Sequence, residues 1–224
     1  MAKGGSNYNL SAAPVTVFVH LLVISIATLT LVWLLKFRGG FAFKAHFHKN
    51  KIFNLHPLLM TLGFLLFSGE AIIMYKVIPD AKRKAQKAIH LIFHFIALVA
   101  GIVGVYAVFK FHHEVNLPHM YTLHSWIGLS AISLFGFQWL LGFFSFWYPR
   151  AEQTRRARML PWHAFFGIVI FFMTIVTAET GLTQKFIFLG LWREQEALII
   201  NFTGLLILLF GIAVGLSVIL PRRN

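Results

Sequence analysis

Six stretches of this chain are apolar for long enough to cross roughly 30 Å of hydrocarbon at about 1.5 Å per helical residue. They run at about 13–35, 55–78, 87–110, 120–147, 160–184 and 197–220. With 58% of its 224 residues hydrophobic, the chain is too apolar for a water-soluble domain of that length, so the bilayer is its solvent. The expected fold is all-α, a bundle of six transmembrane helices. The first run is too long for a cleavable signal peptide, and no small-residue cleavage site precedes Lys36 and Arg38, so it is expected to stay as a helix. No connection exceeds about 20 residues, which leaves residues 1–224 as one transmembrane domain and puts any substrate site at the membrane surface.

The formal charge of +13 lies in loops between apolar runs, where lipid headgroups or small anions are the expected partners and nucleic acid is not. Cysteine is absent, which removes disulfides, thiolate metal sites, iron–sulfur clusters and Cys-x-x-Cys-His haem attachment. With both termini cytosolic, the cytosolic segments hold 12 Lys and Arg, including Lys3, Arg222 and Arg223, against 8 on the other side. The positive-inside rule favours this orientation, and the first loop dissents.

Six of eleven histidines fall in or beside apolar runs: His20, His56, His90, His94, His124 and His163. Ionisable groups inside a membrane are costly and usually line a functional path. His56 and His124 sit near the starts of runs two and four, which enter from the outer side, so they share the outer depth. His90 and His163 open runs three and five from the cytosolic side and share the inner depth. Each pair comes from two helices, the arrangement that clamps a flat macrocycle from both faces, so a four-helix core of runs two to five holding two non-covalent b-type haems is expected. His94, one turn from His90, is an alternative ligand, or joins His90 in a zinc site; His90 is preferred. His20 has no counterpart at its depth and reads as packed or hydrogen-bonded.

Glycines lie on the same helical faces. Gly142 is 18 residues after His124, Gly181 is 18 after His163 and Gly63 is 7 after His56. Each is either a gap against which a macrocycle lies or a point where helices approach closely. Glu70 and Glu179 are the carboxylates well inside apolar runs, and each reads as neutral, hydrogen-bonded or part of a proton path.

There is no Gly-x-Gly-x-x-Gly unit and no room for a nicotinamide or flavin domain, so an electron donor has to be small and diffusible. Lys87 and Arg83 precede His90 by three and seven residues, share its helical face and point to the cytosolic surface. With Arg156 of the next cytosolic loop, and Arg155 and Arg158 as helpers, they suit an enolate or carboxylate-like anion; the alternative is that such charges fix topology.

The strings Asn54-Leu-His56-Pro, Ile89-His90-Leu-Ile-Phe-His94, Tyr121-Thr-Leu-His124-Ser-Trp126 and Pro161-Trp162-His163, with the Trp147-Tyr148-Pro149 exit, resemble the cytochrome b561 family over nearly the whole chain. The resemblance implies ligand pairs His56 with His124 and His90 with His163. It also implies an ascorbate-dependent transmembrane oxidoreductase, passing electrons from cytosolic ascorbate to monodehydroascorbate or ferric chelates outside. Lys87 and Arg156 match the family's cytosolic ascorbate site, and Phe111, His112 and Tyr121 its outer small-molecule site. Tyr121, three residues before His124, is expected near the outer haem, and His112 is expected to exchange a proton. A homodimer in an endomembrane, vacuolar or vesicular, or in the plasma membrane is implied likewise. Two other readings use the same residues: a histidine-lined metal-ion transporter and a quinol-linked di-haem subunit of a larger complex.

Overall fold

A computed structural model describes residues 11–221, which are helical with no strand. Lys3, Arg222 and Arg223 lie outside the described residues. Six helices have the length and composition to span a membrane: α1 Ala12–Phe37, α2 Asn50–Val77, α3 Arg83–Glu114, α4 Leu123–Trp147, α5 Gln153–Phe188 and α6 Gln195–Ile219. Hydrocarbon offers backbone N–H and C=O groups no water, and a helix satisfies them within the segment.

The helices and the apolar runs differ at their ends for a physical reason. Helix α5 begins at Gln153 rather than near 160, taking Arg155, Arg156 and Arg158 into its first turns, and α3 continues to Glu114. Arg and Lys end a crossing of hydrocarbon but are good helix formers, so the helix continues where the apolar run stops. Helix α4 starts later than expected. Thr122 caps it, its Oγ1 accepting from Ser125 N at 3.3 Å, and Tyr121 is left outside the helix. Wider π turns occupy Trp33–Phe37, Leu59–Leu66 and Phe143–Trp147; the second begins two residues after Pro57, which has no N–H to donate.

Helices α1 and α6 lie side by side and antiparallel. Ala12 N donates to Pro221 O at 3.0 Å at one end, and Trp33 Nε1 donates to Glu196 Oε1 at 2.8 Å at the other. Both ends of the described chain therefore share one face of the bundle, here the terminal face. One core cluster joins α1 and α6 to α2 and α5 through Val19, Leu22, Ile26, Leu65, Phe171, Phe210 and Val214. A second fills the centre of α2–α5 with Phe64, Ala97, Ile132, Phe135 and Ile170. Outward positions such as Val17, Leu21 and Ile24 are each more than half exposed, as suits side chains whose solvent is lipid.

On the opposite face, Asn54 Nδ2 fastens the first loop by donating to Arg38 O at 3.0 Å and Gly40 O at 2.6 Å. Arg38 pairs with Glu196 at 2.6 Å, and Lys49 and Lys110 flank Glu114 at 3.5 and 3.8 Å. Two basic residues of the dissenting first loop, Arg38 and Lys49, are thus paired with carboxylates, and Lys110 of α3 shares Glu114 with Lys49.

Candidate functional site

Two cavities open inside the α2–α5 core, one toward each face. Counting the space at their mouths, they measure about 1120 Å³ on the opposite side and about 2260 Å³ on the terminal side. The first is lined by His56 and His124, the second by His90 and His163. In the first the two imidazole centroids are 6.1 Å apart; in the second, 6.3 Å. Each pair joins two helices, α2 with α4 and α3 with α5.

Helices α4 and α5 seat one another's histidines. A Cβ placed on Gly181 of α5 would fall 2.7 Å from His124 Cε1, and one on Gly142 of α4 would fall 3.0 Å from His163 Cε1. Of the two roles left open for Gly142 and Gly181, a gap for a macrocycle or a close helix approach, the structure shows the close approach: each glycine receives the imidazole of the facing helix. At Gly63 an added Cβ would collide with Ala100 of α3, so that glycine serves helix approach.

Backbone carbonyls fix three of the rings. His56 Nδ1 donates to Gly104 O at 3.0 Å, His90 Nδ1 to Ala71 O at 2.8 Å and His124 Nδ1 to Thr177 O at 2.9 Å. A carbonyl only accepts, so Nδ1 carries the proton and Nε2 is left with a lone pair for a metal. His163 differs: its Nδ1 meets the Gln138 amide at 3.0 Å, and the same amide nitrogen donates to His163 O at 2.7 Å. Ligation through His163 Nε2 needs the proton on Nδ1, where the Gln138 nitrogen, itself a donor, now sits, so this contact has to change.

The remaining intramembrane polar groups separate. His94 lines the terminal-side cavity with its ring 4.5 Å from that of His90, but its buried Nδ1 has no partner. His20 is hydrogen-bonded, as expected, and its partner is Glu70 at 2.9 Å. Glu179 packs against Gly204 of α6, and its buried Oε1 has no hydrogen-bond partner. Among the described residues no three His, Cys, Asp or Glu side chains come together to hold a bare metal ion.

At the terminal-side mouth the structure brings Arg83, Lys87 and Arg156 together on the lining of one cavity with His90, while Arg155 and Arg158 are not on it. Arg83 lies 4.6 Å over the Tyr75 ring, whose centroid is 5.4 Å from that of His90. Lys87 lines the same cavity with no hydrogen bond or ion pair among the described residues. At the other mouth His112 lines the cavity and Phe111 touches it through Phe53, ring to ring at 5.3 Å. Tyr121 does not share a helical face with His124, because α4 begins only at Leu123; it is 50% exposed beside the lining residue Met120. Sequence reasoning missed Gln138, Tyr75, Phe53 and Lys185. Lys185 was counted as a loop charge, yet it lines the opposite-side cavity. The available signal was its position one turn beyond Gly181 on the same helical face.

Residues 55–189 match the profile of the family described as eukaryotic cytochrome b561. The chain belongs to that family. It is 46% identical to the probable ascorbate-specific transmembrane electron transporter 1 of Oryza sativa subsp. japonica over 95% of this chain and 92% of that one. It is 44% identical to transmembrane ascorbate ferrireductase 1 of Arabidopsis thaliana, covering 93% of this chain and 88% of the relative. A transmembrane ascorbate-dependent reductase of Pongo abelii is 35% identical over 96% of this chain and 86% of its own. Cytochrome b561 proteins are haem b proteins, and the histidine geometry fits that group. With metal–imidazole bonds of about 2.0 Å, two rings ligating one metal from opposite sides have centroids about 6.3 Å apart, against the 6.1 and 6.3 Å found. A pair of histidines suffices only where a macrocycle supplies the other ligands.

Proposed function

We propose that this cytochrome b561 carries electrons from ascorbate at its terminal face, taken as cytosolic, through two b-type haems to monodehydroascorbate or ferric chelates on the other side. His90 and His163 hold the first haem, His56 and His124 the second. The haems supply one-electron carriers when bound; the chain supplies their position, their separation from water and the access of substrates. The observation that carries the reading is the two histidine-lined cavities opening to opposite faces, separated by one layer of side chains. Phe64 lines one cavity, Phe135 lines the other, and their rings meet edge to face at 4.8 Å.

Lys87, Arg83 and Arg156 gather a small anion at the terminal mouth. Ascorbate is a monoanion at neutral pH, and cationic side chains on a half-enclosed wall hold its enolate oxygens over the approach to His90. Arg83 is braced by Tyr75 and Gln86 and Arg156 by the Ala151 carbonyl, which leaves Lys87 the most adaptable contact. At the other mouth His112, its Nδ1 3.0 Å from Pro118 O, keeps a second ring nitrogen for proton exchange with an acceptor. Phe111 and the exposed Tyr121 flank it. Residues 1–224 act as one domain, and a homodimer in an endomembrane or the plasma membrane accompanies this reading.

The test is the visible spectrum of the purified protein before and after ascorbate. A reducible two-component haem spectrum is expected. Single His56→Ala and His163→Ala changes should each remove one component and spare part of the other. A colourless protein made with ample haem, or one component lost to both changes, would refute the assignment.

A further inference from the structure

Lys185 sits where a cation is difficult to account for by membrane anchoring. A lysine near a helix end ordinarily extends its ammonium to the surface. This one is half-buried and turns back over Phe53, with Nζ 4.1 Å from the ring centroid. Lys185 follows Gly181, the seat of His124, by one turn of α5. Phe53 precedes His56 by one turn of α2. The pair therefore bridges α5 and α2 one turn above the two histidines, on the lining of the opposite-side cavity.

The local charges do not balance. Glu196 is the carboxylate whose field reaches Lys185, together with the like charge of Arg38. Both Glu196 oxygens are committed, Oε1 to Trp33 Nε1 at 2.8 Å and Oε2 to Arg38 Nη2 at 2.6 Å. Among the described residues Lys185 makes no hydrogen bond or ion pair, and Arg38 Nε is buried without a partner. Two cations thus face one carboxylate, and the surplus charge stands at the cavity wall. An aromatic face attracts an ammonium but leaves its donors unused. Burying a charge is tolerated when an opposite charge completes it.

We propose that Lys185 is the anion-recognising residue of the opposite-side cavity, donating to a carboxylate or enolate oxygen. Two sources share that chemistry: a propionate of the haem held by His56 and His124, or an anionic acceptor entering at the mouth. The inference rests on the reading that this cavity holds a haem. It assigns to Lys185 a role distinct from that of His112, which lines the same cavity from α3.

The test compares Lys185→Gln and Lys185→Arg with the parental protein, purified with its haem. If the partner is a propionate, Lys185→Gln loses the His56–His124 haem to apomyoglobin roughly tenfold faster or more, the scale of a lost charged hydrogen bond. The midpoint potential of that haem also falls, and Lys185→Arg restores both. If the partner is the acceptor, haem loss is unchanged, but KM for ferricyanide rises severalfold while that for the cationic hexaammineruthenium(III) does not. The spectrum of the other haem reports that the variant is folded. A Gln variant equal to the parent in haem loss, midpoints and discrimination between these acceptors overturns the proposal alone. A parental protein from which His56→Ala removes no haem overturns the underlying reading, and this proposal with it.

Discussion

Adding one methyl group at Gly181 should displace the imidazole of His124. An alanine Cβ there would lie 2.7 Å from Cε1 and 3.0 Å from Nδ1, where carbon atoms prefer about 3.5–4.0 Å. The ring has to withdraw by roughly 0.8 Å or more to reach that contact. Its Nδ1 is held to Thr177 O at 2.9 Å, and Thr177 is on the same helix as Gly181, so the withdrawal lengthens that bond beyond hydrogen-bond range. The cost is about 1–3 kcal/mol for overpacking and about 0.5–1.5 kcal/mol for the lost hydrogen bond. The helix recovers about 1 kcal/mol from replacing glycine by alanine. The balance, roughly 0.5–3.5 kcal/mol, falls on one histidine and not on the bundle as a whole. Gly181→Ala should therefore reduce the haem-to-protein ratio by up to half while the remaining spectrum resembles that of His56→Ala. Gly142→Ala, with its Cβ 3.0 Å from His163 Cε1, should act on the other haem and more mildly. The assay is the haem-to-protein ratio with a redox titration of each variant. Full haem content and unchanged midpoints in Gly181→Ala would refute the view that this glycine seats a ligand.

Lys87→Ala should slow reduction by ascorbate, measured by stopped-flow absorbance, without changing haem content; normal kinetics would exclude the terminal-side anion site. Gln138→Ala removes the side chain that positions His163 and should weaken haem binding there by about 10–100-fold, read as preferential loss of one spectral component. Glu196→Ala leaves Arg38 facing a partly buried site without its carboxylate and removes the acceptor of Trp33 Nε1. It should destabilise the bundle by roughly 3 kcal/mol, seen as a lowered thermal midpoint in detergent with both haem spectra intact below it.

The crossings were legible in the sequence because hydrocarbon thickness sets a length and excludes charge, and each of the six runs corresponds to one helix. Their ends were not, because Arg155, Arg156 and Arg158 leave the hydrocarbon while remaining helical. The depth pairing of His56 with His124 and His90 with His163 followed from the direction in which each run enters, and the rings face each other in those pairs. What sits under each ring did not follow. Counting along one helix gives a shared face but not the neighbour that it meets. Only the antiparallel register of α4 with α5 brings Gly142 to His163 and Gly181 to His124. Tyr121 shows the same limit at shorter range, since three-residue spacing from His124 implies a shared face only inside a helix, and Thr122 caps α4 after it. Lys185 escaped because a basic residue at the end of an apolar run ordinarily faces headgroups.

The aromatic and aliphatic layer of Phe64, Ala97, Ile132, Phe135 and Ile170 carries no side-chain hydrogen-bonding group. Protons need a chain of hydrogen-bonding groups, and these side chains offer none, whereas an electron tunnels through them. On the proposed function the electron crosses this layer without a proton passing through these five side chains, so protons exchange at the two aqueous sides. Such a current works against or with the membrane voltage, at about 2.3 kcal/mol per elementary charge per 100 mV for a full crossing. The same five residues would thus make the protein a voltage-sensitive conductor of electrons that leaves an existing proton gradient unshunted.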